Sequence, residues 1–154
     1  MFDTVPWAIA FAWVPLVMGS FLLSYQLLKN RMFLPLVLVS AIILVLCDFV
    51  LDPGAVTLNM WIWKSDPFLY GIPLSNYFGW LVSGICGSII FYLLNKKWLK
   101  EIFVNRSGFY LSLYIIVGFW TYIVMYKSLW IAFFTGVLLL LILRVLGGKR
   151  WMGD

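Results

Sequence analysis

Long runs of nearly uninterrupted hydrocarbon constrain this chain more than any single motif. Five segments, Val5–Leu28, Met32–Leu51, Pro73–Leu94, Phe109–Tyr126 and Leu129–Leu146, approach the roughly 20 apolar residues a helix needs to cross a bilayer core. Charged residues are only 11% of the 154 and hydrophobic residues 64%, so a water-soluble domain would lack the polar surface to cover its core. The expected fold is an all-α integral membrane protein, one domain over 1–154, with about five transmembrane helices in a multi-pass arrangement in the cell membrane. Asp3 stands where a signal peptide carries basic residues, and no small-residue cleavage site follows, so the first segment is expected to be a helix of the fold. Pro6 suits a helix start, whereas Pro15 is expected to kink the first helix.

Basic residues give the expected orientation. Lys29, Arg31, Lys96, Lys97, Lys100, Arg106, Arg144, Lys149 and Arg150 fall on one side of such a bundle, and Lys64 and Lys127 on the other. The positive-inside rule then places the N-terminus outside and the C-terminus in the cytoplasm. The net charge of +5 is a topology signal on this reading, and nucleic acid is not an expected partner. The connection Lys96–Arg106 reads as an ordinary amphipathic cytoplasmic loop, which leaves its Asn105-Arg106-Ser107 sequon without meaning. Lys127-Ser128 is a tight turn between the last two helices.

Within this hydrocarbon, Asp48 and Asp52 stand four residues apart at the end of the second segment. Intramembrane acids are costly and mark functional sites. Residues four apart share a helical face, and Pro53 disfavours helix at Asp52, so the second helix is expected to stop there. Desolvation, the helix dipole and the neighbouring carboxylate all oppose ionisation, so one acid of the pair is expected to be protonated near neutral pH. Such an acid can donate a proton to a substrate. Two plainer readings stay open. Asp52-Pro53 also suits a helix N-cap, and Asp48 can bond to Asn76 or a tryptophan N–H and lock the second helix to the third, or be ionised by Lys64.

The segment between them, from Asp52 to Ile72, is too short to span and too apolar to float, so it is expected to lie in the interface or fold back over the helix ends. Trp61, Trp63, Tyr70, Tyr77 and Trp80 suit the wall of a slot for a long apolar ligand, and aromatic faces shelter a cation without attacking it. An interfacial aromatic belt is the alternative. Gly79, Ser83 and Gly87 recur at intervals of four and read as a helix-packing stripe, with clearance for a ligand as the alternative. Histidine is absent, and the two cysteines, Cys47 and Cys86, are expected to be buried free thiols. No metal site and no cofactor are expected.

The run Asp48-Phe-Val-Leu-Asp52-Pro53, then Trp61-Ile-Trp63, then Tyr70-Gly-Ile-Pro73-Leu-Ser75-Asn76-Tyr77-Phe-Gly79-Trp80 resembles the signature of the carotenoid biosynthesis membrane protein family. That family includes end-group hydratases of the bisanhydrobacterioruberin hydratase type. The resemblance is strongest over residues 45–85. It implies a membrane enzyme that adds water across a terminal double bond of an acyclic carotenoid, without a redox cofactor. The implied roles are Asp48 and Asp52 as proton donor and acceptor, Ser75 and Asn76 as positioning groups, and Trp61, Trp63, Tyr70 and Trp80 around the end group. Family members carry further helices upstream of the point where this sequence begins. The expected partners are therefore membrane lipid, a carotenoid or other polyisoprenoid, and a second membrane polypeptide supplying the missing helices. A non-catalytic carotenoid- or lipid-binding subunit is the alternative, and a small transporter or channel component using Asp48 as its ion site is a third.

Overall fold

The computed structural model describes residues 7–28, 32–64, 66–104 and 107–147. Among them the chain forms six helices: α1 Trp7–Leu27, α2 Phe33–Thr57, α3 Leu74–Asn95, α4 Leu99–Val104, α5 Ser107–Tyr126 and α6 Trp130–Gly147. The five long helices occupy the five expected segments. The readings placed on Asp3, Pro6, Lys29, Arg31, the Asn105-Arg106 sequon, Lys149 and Arg150 lie outside the described residues. By length and composition α2 and α3 can each cross a membrane, and the apolar parts of α1, α5 and α6 are shorter. Large apolar side chains stand exposed on every long helix, Phe11, Leu34, Val82, Phe119 and Phe134 among them.

Helix α2 is the centre of the bundle, in contact with each of the other four long helices. Leu16, Val17, Leu44, Val50, Leu113, Val117, Ala132 and Leu139 form the main core between α1, α2, α5 and α6. Helix α3 leans on α2 from outside that core. A second cluster, Phe21, Tyr25, Leu36, Phe91 and Leu99, closes one end of the molecule. Leu99 belongs to α4, so the connection after α3 is a short helix docked on the bundle, not a loop.

The second helix does not stop at Asp52. It runs on through Pro53 and ends in a Schellman motif five residues later. Asn59 holds the left-handed conformation with φ 55°. Its N–H donates to the Val56 carbonyl, and the Met60 N–H to the Ala55 carbonyl, both at 3.0 Å. Proline removes one ladder bond, a loss that helices inside a membrane bundle tolerate. Here the Trp120 ring of α5 lies on Gly54, where a Cβ would come within 2.6 Å of it. Asp52 is consequently an interior helix residue and caps nothing. Helix α1 likewise continues through Pro15. The α5–α6 hairpin uses the same C-terminal device at Lys127-Ser128. Ser128 takes φ 57°, and the Leu129 N–H donates to the Val124 carbonyl at 2.8 Å.

The expected small-residue stripe is only partly a packing seam. At Gly87 a Cβ would meet Trp13 at 2.8 Å, whereas at Gly79 it would meet nothing within 4 Å. The close α2–α3 approach is made instead at Gly84, against Leu44 at 3.0 Å and the Ala41 Cα at 3.2 Å. A buried hydrogen bond of 2.8 Å from the Ser88 hydroxyl to that of Ser40 fixes the same face. Cys47 is buried as expected, whereas Cys86 on α3 is exposed, and both are free.

Gly84→Leu is expected to destabilise the bundle by roughly 1–3 kcal/mol, because the Ala41 backbone cannot yield to added bulk. Gly79→Ala is expected to cost nothing. Thermal unfolding in detergent, followed by circular dichroism, distinguishes the two.

Candidate functional site

The continuation of α2 through Pro53 brings Asp48 and Asp52 into the body of a buried helix, facing α3. They are 1% and 4% exposed. One residue meets both. The Asn76 amide nitrogen, two residues into α3, donates to Asp48 Oδ2 at 3.0 Å and to Asp52 Oδ2 at 2.6 Å. A primary amide has two N–H donors, so both are used. The two carboxyls stand one helical turn apart on the same face of α2 and share this one donor. Lys64, the cation weighed as a partner, is exposed on the connection.

Two atoms near this cluster are buried with no hydrogen-bond partner: Asp48 Oδ1 and the Tyr77 hydroxyl. The Tyr77 hydroxyl is close enough to both carboxyls to sense their charge. Its ring packs on Phe49 with centroids 5.5 Å apart. Buried polar atoms without partners cost about 1–3 kcal/mol each, and their concentration around one acidic pair sets this region apart from the rest of the bundle.

Asn76 also lines an open groove of about 310 Å³. Its walls are Trp63 of the connection, Trp80 of α3 and Trp13 of α1, and its floor is the α3 surface from Ser75 through Gly79 to Ser83. The acids therefore stand directly behind the amide that forms one end of the groove. The Trp63 indole N–H is buried and unpartnered, as is that of Trp61.

The structure gathers Trp63, Ser75, Asn76 and Trp80 around one groove, with Asp48 and Asp52 behind it. Trp61 is not part of the groove lining, and Tyr70 stands apart from it. Tyr70 and Gly71, with φ 52° and 82°, form the two-residue turn of a small antiparallel bridge between Leu69 and Ile72. That turn carries the Tyr70 hydroxyl to α6, where it accepts the Ile131 N–H at 3.2 Å and satisfies a donor of the first helical turn. Ile72 is fully buried beneath it. The connection thus folds back over the helix ends, one of its two expected placements.

Sequence reasoning missed Trp13 and misread two floor residues. Nothing in α1 distinguishes Trp13 from a lipid-facing tryptophan. The Gly79–Ser83 spacing was visible, but the same spacing serves helix contact or ligand clearance, and only the backbone positions decide between them.

Comparison with known proteins bears on the same residues. The family described as carotenoid biosynthesis protein matches residues 1–143. The bisanhydrobacterioruberin hydratase of Haloarcula japonica is 43% identical over 89 residues, which are 56% of this chain and 30% of that protein. The matched region is thus under a third of the curated relative's length. No solved structure matches the chain. A family match over nearly the whole sequence leaves one conclusion: the chain belongs to the carotenoid biosynthesis protein family.

Proposed function

We propose that this chain is a membrane-embedded hydratase that adds water to a terminal double bond of an acyclic carotenoid by acid catalysis. The observation that carries the reading is the pair of buried carboxyls held by one amide at the end of an aromatic groove. A pair sharing one proton can give it to the terminal alkene, forming a C–H bond and leaving a tertiary carbocation. Trp63 and Trp80 present indole faces, which stabilise a cation without a nucleophile to trap it. Water then attacks the cation and loses a proton to the pair, which restores the shared proton. The product is a tertiary alcohol, the net change is one water added, and no redox equivalent is consumed. Asp48 Oδ1, free of any partner, is the oxygen best placed to exchange the proton, with Asn76 and Ser75 positioning the reacting groups.

The membrane setting is part of the same proposal. Exposed apolar side chains along every long helix suit a lipid solvent, since soluble monomers rarely show such extensive apolar surface. The charges also separate by end. Arg144 lies in the last turn of α6, which the Gln26 side chain ties to α1 through the Leu146 carbonyl, and Lys96–Lys97 follow α3 at the same end, beside the second core cluster. Lys64 and Lys127 lie at the opposite end, which the Tyr70–Ile131 bond ties together. The positive-inside rule turns that asymmetry into an outer N-terminus and a cytoplasmic C-terminus.

Expressed in a host that accumulates acyclic carotenoids, the protein is expected to yield a more polar, hydroxylated pigment, seen by chromatography and mass. Asp48→Asn and Asp52→Asn are each expected to lower product formation by about 10²–10⁴-fold, the range for loss of a general acid or base. Unchanged pigment with folded wild-type protein would favour a binding subunit, in which Asn76 and the acids only lock α2 to α3. Difference infrared spectroscopy provides a separate check. A protonated carboxyl band is expected in the wild type and lost in Asp48→Asn or Asp52→Asn; its absence from the wild type removes the proton donor.

A further inference from the structure

We propose that Gly79 and Trp13 set which apolar chains the groove accepts, Gly79 by the clearance it leaves and Trp13 by fixing the depth. The inference rests on the groove being the carotenoid site and goes beyond that reading by assigning its dimensions to two residues.

The groove follows one strip of α3. At its acid end stands Asn76. Gly79 lies in the exposed floor one turn on, and a Cβ built there has no neighbour within 4 Å. Ser83 comes a further turn along. Its hydroxyl is turned back onto its own helix, donating to the Gly79 carbonyl at 2.8 Å with the Trp80 carbonyl at 3.3 Å. A polar side chain is thereby withdrawn, and the floor presents small, largely apolar surface. At Gly87, on the same strip, the space is taken. Trp13 Cη2 would lie 2.8 Å from an added Cβ and Val17 Cγ1 3.2 Å away. The strip is open at Gly79 and shut at Gly87, eight residues or about 12 Å apart at 1.5 Å per residue.

Two properties of a ligand follow. Its end segment must be slender enough to lie between the Trp80 and Trp63 walls on a floor without side chains, which suits a flat polyene. Its inserted length is bounded by the Asn76 amide at one end and the Trp13 ring at the other. The remainder leaves through the open side of the groove. Trp13 is only half-buried, on the α1 rim, so its removal would uncover the strip toward Gly87 without emptying the main core.

The test is binding to the purified full chain, read by quenching of tryptophan fluorescence, with lycopene as the polyene probe and squalene and shorter acyclic terpene hydrocarbons as competitors. Wild-type protein is expected to bind lycopene, and Gly79→Leu to weaken binding by roughly tenfold or more while keeping its helical content and monodispersity, because a Cβ at 79 has no protein atom within 4 Å and the added bulk projects into the open groove. Competitor affinity is expected to rise with chain length and then level off. In Trp13→Ala that plateau should move to longer chains. Equal lycopene binding by wild type and folded Gly79→Leu, or an unmoved plateau in Trp13→Ala, overturns the inference and leaves the site assignment standing. Failure of folded wild-type protein to bind any of these hydrocarbons overturns both.

Discussion

One amide nitrogen holds two carboxyls together across the α2–α3 contact, and the surrounding architecture makes that contact tolerable. An acid in an apolar medium is unstable unless it is paired, hydrogen-bonded or neutral. Here two acids are stacked one helical turn apart on the central helix, reached by no lysine or arginine among the described residues, and given the two N–H groups of Asn76. Removing solvent from this pair raises the cost of carrying two negative charges, so the arrangement favours a shared proton. The same desolvation makes the pair a structural tie and suits it to donating a proton, and a tie and a catalyst are therefore hard to separate by position alone.

The site depends on how α2 ends. Had the helix stopped at Asp52, that carboxyl would have faced the interface and satisfied backbone N–H groups. The extra turn and a half to Thr57, closed by Asn59, buries it instead. Trp120 of α5 packs on Gly54, next to Pro53, so α5, which contributes nothing to the groove lining, backs the turn that follows the acids. Packing on α3 is similarly divided along its length. Gly84 and Ser88 seat it against α2, and Gly87 against Trp13 of α1, which leaves the Ser75–Ser83 face free for the groove.

Much of this was legible in the sequence. Runs of apolar residues gave all five long helices, because helix is the one local way to satisfy a backbone in hydrocarbon. The Lys127-Ser128 hairpin followed from the shortness of its connection. The Asp48–Asn76 pairing was among the several uses foreseen for that acid, since few polar groups were available to answer it. What could not be read depends on tertiary neighbours. Pro53 is a helix breaker by local rules, yet inside the bundle α2 continues through it. Asn59, an acceptable left-handed residue, was the true stop signal. Gly79 and Gly87 are chemically identical and eight residues apart on one four-residue repeat, yet one is open and the other covered, a difference made by a tryptophan on another helix. Tyr70 looked like a member of the aromatic cluster, and its hydroxyl instead serves the first turn of α6.

That tyrosine has a bearing on traffic. The aromatic connection is pinned at one end by the closure of α2 and at the other by buried Ile72, where the Tyr70 hydroxyl also staples it to the C-terminal hairpin. A strap held at both ends leaves the cleft reachable from its open flank. Under the proposed function, a greasy guest would come and go sideways through that flank.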